Sequence, residues 1–247
     1  MITKSEVKYI QSLGHKKFRD ELNLFVAEGP KVVIELLNSP LLSIKSLYAT
    51  PRWWQQHASL EARLPPEAAF EIGQADLQRI SFLPAPNQVL GIFHQPEWPP
   101  VNPGGRVSLV LDGLQDPGNL GTILRVADWF GVTDIIASPE SADVFNPKVV
   151  QSTMGSLGRV RVYYEELSAF LSRHPGIPGY ATTLHGQPLA SVGKIDEGLV
   201  FIGNESRGLS EALLQAADYH ITIPGAGKAE SLNAGVAAGI VLSWLLR

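Results

Sequence analysis

Three short stretches carry side chains whose types and spacing suit chemistry. Asn119-Leu-Gly-Thr-Ile-Leu-Arg125 sets an amide ahead of a guanidinium, and Gly203-Asn-Glu-Ser-Arg-Gly208 brackets Glu205 and Arg207 with glycines. Ile223-Pro-Gly-Ala-Gly-Lys-Ala-Glu-Ser-Leu-Asn233 is a Gly-rich run that ends on Ser231 and Asn233. A guanidinium offers a fixed fork of donors, amides and carboxylates orient hydroxyls, and glycine lets a ligand approach the backbone closely. Each stretch lies where an apolar strand pattern passes into helical spacing. Ligands of open α/β sheets bind in the crevice beyond the strand ends, so three such junctions predict one shared site.

Several chemistries are excluded. The chain has no cysteine, which removes disulfides, thiolate nucleophiles and Cys-ligated zinc or iron–sulfur centres. Its six histidines include no His-x-x-x-His pair, so no metal site is expected. Gly227-Lys228 lacks the partner glycine of a Walker loop, Thr222 standing in its place, and Ala229 follows the lysine. No Gly-x-Gly-x-x-Gly follows a strand, which argues against a dinucleotide fold. Ser206 lies in Gly-Asn-Glu-Ser-Arg-Gly, one residue out of register for a nucleophile elbow.

The elements that must position these stretches follow from periodicity. Gln95-Pro-Glu-Trp-Pro-Pro-Val-Asn-Pro-Gly-Gly105 has four prolines and no apolar period, so residues 96–105 read as a semi-rigid linker. Residues 1–95 before it hold a strand at Phe25–Gly29, a helix over Lys31–Leu37 and further strands at Ile44–Ala49 and Val89–Phe93, a small α/β domain. In residues 106–247, Val107–Asp112 is a buried strand leading into the turn Asp116-Pro-Gly-Asn119. A helix follows from Leu120 to Phe130 and stops at Gly131. Strands at Val132–Ala137, Ala181–Leu184, Leu199–Gly203 and Tyr219–Pro224 alternate with helices, which implies a mainly parallel sheet.

Net charge is −4, but residues 1–19 hold Lys4, Lys8, Lys16, Lys17 and Arg19 against Glu6 alone, a footprint that suits a phosphate backbone as well as a solvated helix face. The N-terminus lacks the apolar run of a signal peptide. The apolar tail Leu232–Leu246 contains Asn233 and Ser243 and is shorter than the ~20 residues of a span, so a buried helix and a cytoplasmic protein are expected.

The candidate residues also have structural readings. Arg125 lies ~140° around the helix from Leu120, off the apolar stripe, where it is available for chemistry or for an ion pair with Asp128. Asn119 could cap its helix, and Ser231 the last one. Glu205 and Arg207 could pair locally. Ala234, Gly235, Ala237 and Ala238 permit close helix packing.

Taken in order, the three stretches resemble the three motifs of the SpoU, or TrmH, family of RNA ribose 2′-O-methyltransferases. Phe25-Val-Ala-Glu-Gly29 and the helix after it resemble that family's RNA-binding domain. The resemblance implies a C-terminal α/β trefoil-knot domain, S-adenosylmethionine as methyl donor and a homodimer formed through this domain. RNA is the implied substrate, ribosomal RNA rather than tRNA because a recognition domain precedes the knot. Carried over, backbone groups of Gly203, Ile223 and Leu232 would hold the adenosine part, while Asn119, Arg125, Glu205, Ser231 and Asn233 form the catalytic group. The family gives its first-motif arginine a proton-accepting or hydroxyl-orienting role. A charged guanidinium has no acceptor, so Arg125 reads better as a clamp on a substrate phosphate. The chain departs from the family at Gly225, where methionine is usual, and at Ala234-Gly235, where a β-branched or Ser-rich stretch is usual. Competing readings are a non-catalytic RNA-binding or ribosome-assembly protein, and a small-molecule enzyme on an ordinary doubly wound sheet.

Overall fold

The computed structural model describes residues 2–246. Two compact units divide the chain. One runs to Glu97 and also takes Phe145–Arg159, and the other holds Trp98–Val144 and the chain from Val160 onward.

The first unit begins with α1 (Lys4–Ser12) and α2 (Lys16–Leu22), followed by β1 (Leu24–Glu28), α3 (Pro30–Leu37), β2 (Ile44–Ala49), α4 (Pro51–Gln56) and α5 (Ala58–Glu61). It continues through β3 (Ala69–Glu71), α6 (Gln74–Ile80) and β4 (Val89–His94). Its sheet runs β1-β4-β2-β3, antiparallel except where β2 meets β3. A reciprocal capping box starts α1: Glu6 N–H donates to Thr3 Oγ1 (3.2 Å) and Thr3 N–H to Glu6 Oε2 (2.8 Å). Ile10 and Leu13 pack with Leu77, Ile80, Leu90 and Ile92 to form the core.

The second unit opens with β5 (Val107–Leu111), α7 (Pro117–Phe130) and β6 (Asp134–Ala137). The chain then passes through α8 (Pro147–Ser152), which belongs to the first unit, and returns as β7 (Arg161–Tyr164). After these come α9 (Leu167–Arg173), β8 (Gly179–Pro188), β9 (Gly198–Ile202), α10 (Glu211–Ala216), β10 (Tyr219–Thr222) and α11 (Ala234–Leu245). The sheet order is β10-β8-β9-β5-β6-β7 and every pairing is parallel. β5 and β9 are buried at every position, as central parallel strands covered on both faces must be.

Two features depart from the sequence pattern. The 145–159 stretch packs inside the first unit: the Phe145 ring lies 5.0 Å from that of Phe25, Ser39 Oγ donates to Gly158 O (2.6 Å), and Arg159 pairs with Glu35 at 2.7 Å. Gly155 sits at φ +98°, and a Cβ there would fall 2.5 Å from Glu35 Cβ. The second concerns the basic N-terminus. Arg19 is 1% exposed and donates to Leu13 O at 2.9 Å, so it belongs to the core and not to a phosphate-facing surface. Lys16 pairs with Asp20 at 2.7 Å, and Lys4, Lys8 and Lys17 are exposed. Among the described residues, no helix is long and apolar enough to cross a membrane.

Candidate active site

β5 and β9 are adjacent, and from β5 the chain proceeds through α7 to β6 on the opposite side. The strand order therefore reverses between β9 and β5, the position at which open α/β sheets place ligands beyond the C-terminal strand ends. The turn after β5 and the turn after β9 are fastened to each other. Asp112 N–H donates to Ile202 O (2.9 Å), Asn204 Nδ2 to Gly113 O (2.6 Å), and Ser210 N–H to Asp112 Oδ2 (2.6 Å). Asn204 Oδ1 also accepts from Ser206 N–H and Arg207 N–H, while the backbones of Asn204 and Gly208 exchange hydrogen bonds and close the loop on itself. This closure explains Gly203, where a Cβ would stand 2.4 Å from the Gly208 carbonyl carbon.

A second layer supports the first turn. Gly113 N–H donates to Ser138 Oγ (2.9 Å) and Leu114 N–H to Ser141 Oγ (3.2 Å), both serines being buried and 3.0 Å apart. Loop amides that water cannot reach need such partners.

The third stretch connects β10 to α11 and is built differently. Residues 224–232 are exposed, and among the described residues no backbone hydrogen bond engages them. Hydrogen bonding resumes at Asn233, whose Oδ1 caps α11 by accepting from Gly235 N–H (3.0 Å) and Val236 N–H (3.3 Å). Its Nδ2 donates to Asn119 Oδ1 (2.8 Å), and Asn119 Nδ2 donates to Glu205 Oε1 (2.7 Å). One chain of polar contacts therefore joins all three stretches, with both ends of the Asn119 amide engaged. α7 and α11 also meet closely, since a Cβ on Gly235 would lie 2.7 Å from Thr122 Cγ2.

The pattern of the SpoU rRNA methylase family matches residues 106–243, and that of an MRM3-like substrate-binding domain matches residues 4–91. The chain belongs to the SpoU rRNA methylase family. It is 30% identical over 245 residues to the Bacillus subtilis 23S rRNA (guanosine(2553)-2′-O)-methyltransferase RlmP, covering 96% of this chain and 94% of the relative. The AdoMet-bound rRNA methyltransferase of Sinorhizobium meliloti is 34% identical with a TM-score of 0.87, covering 98% of this chain and 94% of that one. The SpoU methyltransferase AviRb of Streptomyces viridochromogenes, solved with its cofactor AdoMet, is 25% identical with a TM-score of 0.84 and coverages of 98% and 96%. The second unit has the α/β fold of these methyltransferases.

Of the eight site residues expected by resemblance to the family, the hydrogen-bonded chain collects Asn119, Glu205 and Asn233. Arg125 is exposed on α7 and, among the described residues, makes no hydrogen bond or ion pair, so the alternative bridge to Asp128 is not formed. Ser231 is exposed within the open loop. It does not cap α11, because Asn233 takes that position. Nor does Asn119 cap α7: Asp116 does, accepting from Asn119 N–H at 2.7 Å, and the helix begins at Pro117 rather than Leu120. Glu205 turns to Asn119, and no pair with Arg207 is present among the described residues. Ile223 is half-buried at the mouth of the loop and Leu232 is 48% exposed. Sequence reasoning missed Asn204, Asp112, Ser138 and Ser141, which position the turns. Asp116-Pro117 carried a cap signal, but the two serines carried none, because their role depends on a strand that is adjacent only in space.

Proposed function

We propose that this chain transfers a methyl group from S-adenosylmethionine to a ribose 2′-hydroxyl of ribosomal RNA. The observation that carries this reading is the chain Asn233–Asn119–Glu205, which ties three family motifs into one polar site at the ends of β5 and β9 beside the exposed Arg125.

The residues present fit the cofactor. The backbone groups of 224–232, which make no backbone hydrogen bond among the described residues, are donors and acceptors for an adenine edge, and the exposed Leu232 side chain supplies apolar contact. We assign this hold to Gly203, Ile223 and Leu232. At Gly203 the space a side chain would take belongs to the loop's own backbone, so its contribution is through main-chain groups. The cofactor supplies an electrophilic methyl group on a sulfonium. This chain's part is to align the hydroxyl and to hold the group that takes its proton. Alignment is worth about 7–11 kcal/mol in the best intramolecular cases.

Asn119, held at both ends, is a rigid positioning amide. Arg125 presents its fork to a substrate phosphate, which or a nearby water accepts the proton, since the guanidinium itself has no acceptor. Ser231, adjacent to Leu232 in the open loop, is free to meet substrate. Residues 1–95, with the inserted Phe145–Arg159 packed into the same unit, form the RNA-recognition domain, 96–105 the linker and the rest of 106–247 the methyltransferase domain, whose tail passes through a trefoil knot. The exposed Trp129 (75%), Val236 (50%), Ile240 (37%) and Trp244 (44%) on α7 and α11 support a homodimer through this domain. The protein acts in the cytoplasm.

Arg125→Lys tests the fork. Retained cofactor affinity with a loss of methyl transfer on the order of 10²-fold supports the clamp. Near-normal activity, or a pH–rate profile whose limb moves with the lysine, refutes it.

A further inference from the structure

The first unit contains a cleft of about 340 Å³ that the methyl-transfer site does not use. β1, the loop after α6 and α8 enclose it, with Val26, Phe82 and Pro84 as apolar wall and Glu28, Lys148 and Gln151 as polar lining. The volume lies at the lower end of small-molecule sites. Resting on the RNA-methyltransferase reading, we propose that this cleft is a specificity pocket for one unstacked guanine of the RNA, read through its N1–H and N2–H by the Glu28 carboxylate.

Glu28 is 5% exposed. It accepts from Phe82 N–H at 2.7 Å and from Ser81 Oγ. A carboxylate has about four acceptor positions, so these contacts leave room for two more donors, and Glu28 lines the cleft. Burial raises its pKa above the usual carboxylate range despite the Ser81 and Phe82 contacts, a penalty that a further pair of N–H donors would relieve. Gln151 is half-buried, and among the described residues its side-chain amide has no hydrogen-bond partner; Lys148 is exposed with no ion pair among them.

This donor–acceptor set favours a purine. Guanine alone among the four bases places two adjacent N–H donors on its Watson–Crick edge, and its O6 and N7 acceptors suit an ammonium or a carboxamide. Single-stranded RNA is read in this way, by splayed bases held against apolar walls and bonded at their edges.

The test titrates the full chain with the fluorescently labelled RNA pentamers AAGAA, AAIAA and AAAAA, inosine lacking only the guanine N2 amine. The expected result is at least a tenfold preference for AAGAA, abolished in Glu28→Gln and reduced several-fold in Gln151→Ala and Lys148→Ala, with thermal midpoints unchanged in the latter two. If Glu28→Gln fails to fold, the two lining variants decide. Equal affinity for the three pentamers, or lining variants that bind like wild type, overturns the pocket. Methyl transfer to ribosomal RNA is measured on the same preparations. Transfer without guanine preference removes the pocket and leaves the enzyme, while guanine preference without transfer does the reverse.

Discussion

The turns after β5 and β9 are held by Asn204, Asp112, Ser138 and Ser141, whereas the stretch after β10 has exposed residues from 224 to 232 and no backbone hydrogen bonds among the described residues until Asn233. All three are Gly-rich and polar in sequence. Glycine serves them differently: at Gly203 it admits the loop's own backbone, whereas a Cβ on Gly225 or Gly227 would meet nothing within 4 Å. One part of the candidate site is tied down by hydrogen bonds and the other is exposed, a division that would suit the proposed rigid reacting centre beside a cofactor that enters and leaves.

The largest effect that could break this contrast is expected at Gly203→Ala. Its Cβ would collide with backbone that cannot rotate away, so a loss of about 3 kcal/mol or more, beyond ordinary overpacking, should appear in chemical denaturation. Asn119→Ala removes the bonds to both Glu205 and Asn233. Stability should fall by about 1–2 kcal/mol, and methyl transfer by the order of 10²-fold or more, measured with cofactor binding as control.

Those ties are only partly legible in the sequence. The strands β5 and β9 and the helix α7 follow from apolar runs and from the Asp-Pro and Gly131 signals at the helix ends, because local pattern determines them. The resemblance to the SpoU family named Asn119, Glu205 and Asn233, but not their mutual bonds. Burial of Arg19 and the place of Phe145–Arg159 in the first unit were invisible, since a cation near four lysines reads as surface and the Phe25–Phe145 contact spans 120 residues of chain. Cap positions slipped by two or three residues for a related reason. Ser231 and Asn233, like Asp116 and Asn119, are equally good cap types, and only the fold selects between them.

Amide hydrogen exchange sharpens the comparison without mutation. Residues 225–232 should exchange rapidly in the free protein and slow by tenfold or more when S-adenosylmethionine is added, while the bonded amides of 112–114, 204, 206–208 and 210 are protected in both states. Uniform protection across the three turns would contradict the division. Ser141→Ala leaves Leu114 N–H without its side-chain acceptor in a buried loop and should cost about 1–2 kcal/mol, read from the denaturation midpoint. The smallest effect is expected at Gly227→Ala, within about 0.5 kcal/mol of wild type, against the large loss at Gly203.

Under the proposed function, the strand-end site methylates ribose in ribosomal RNA and needs Arg125 to do so. The direct measurement is transfer of labelled methyl from S-adenosylmethionine to total ribosomal RNA, by wild type and by Arg125→Ala of equal cofactor affinity, with the label mapped by resistance of the modified linkage to alkaline cleavage. Label confined to 2′-oxygens and lost in the variant is the predicted result. Label on a base, or undiminished transfer by Arg125→Ala, would contradict the account.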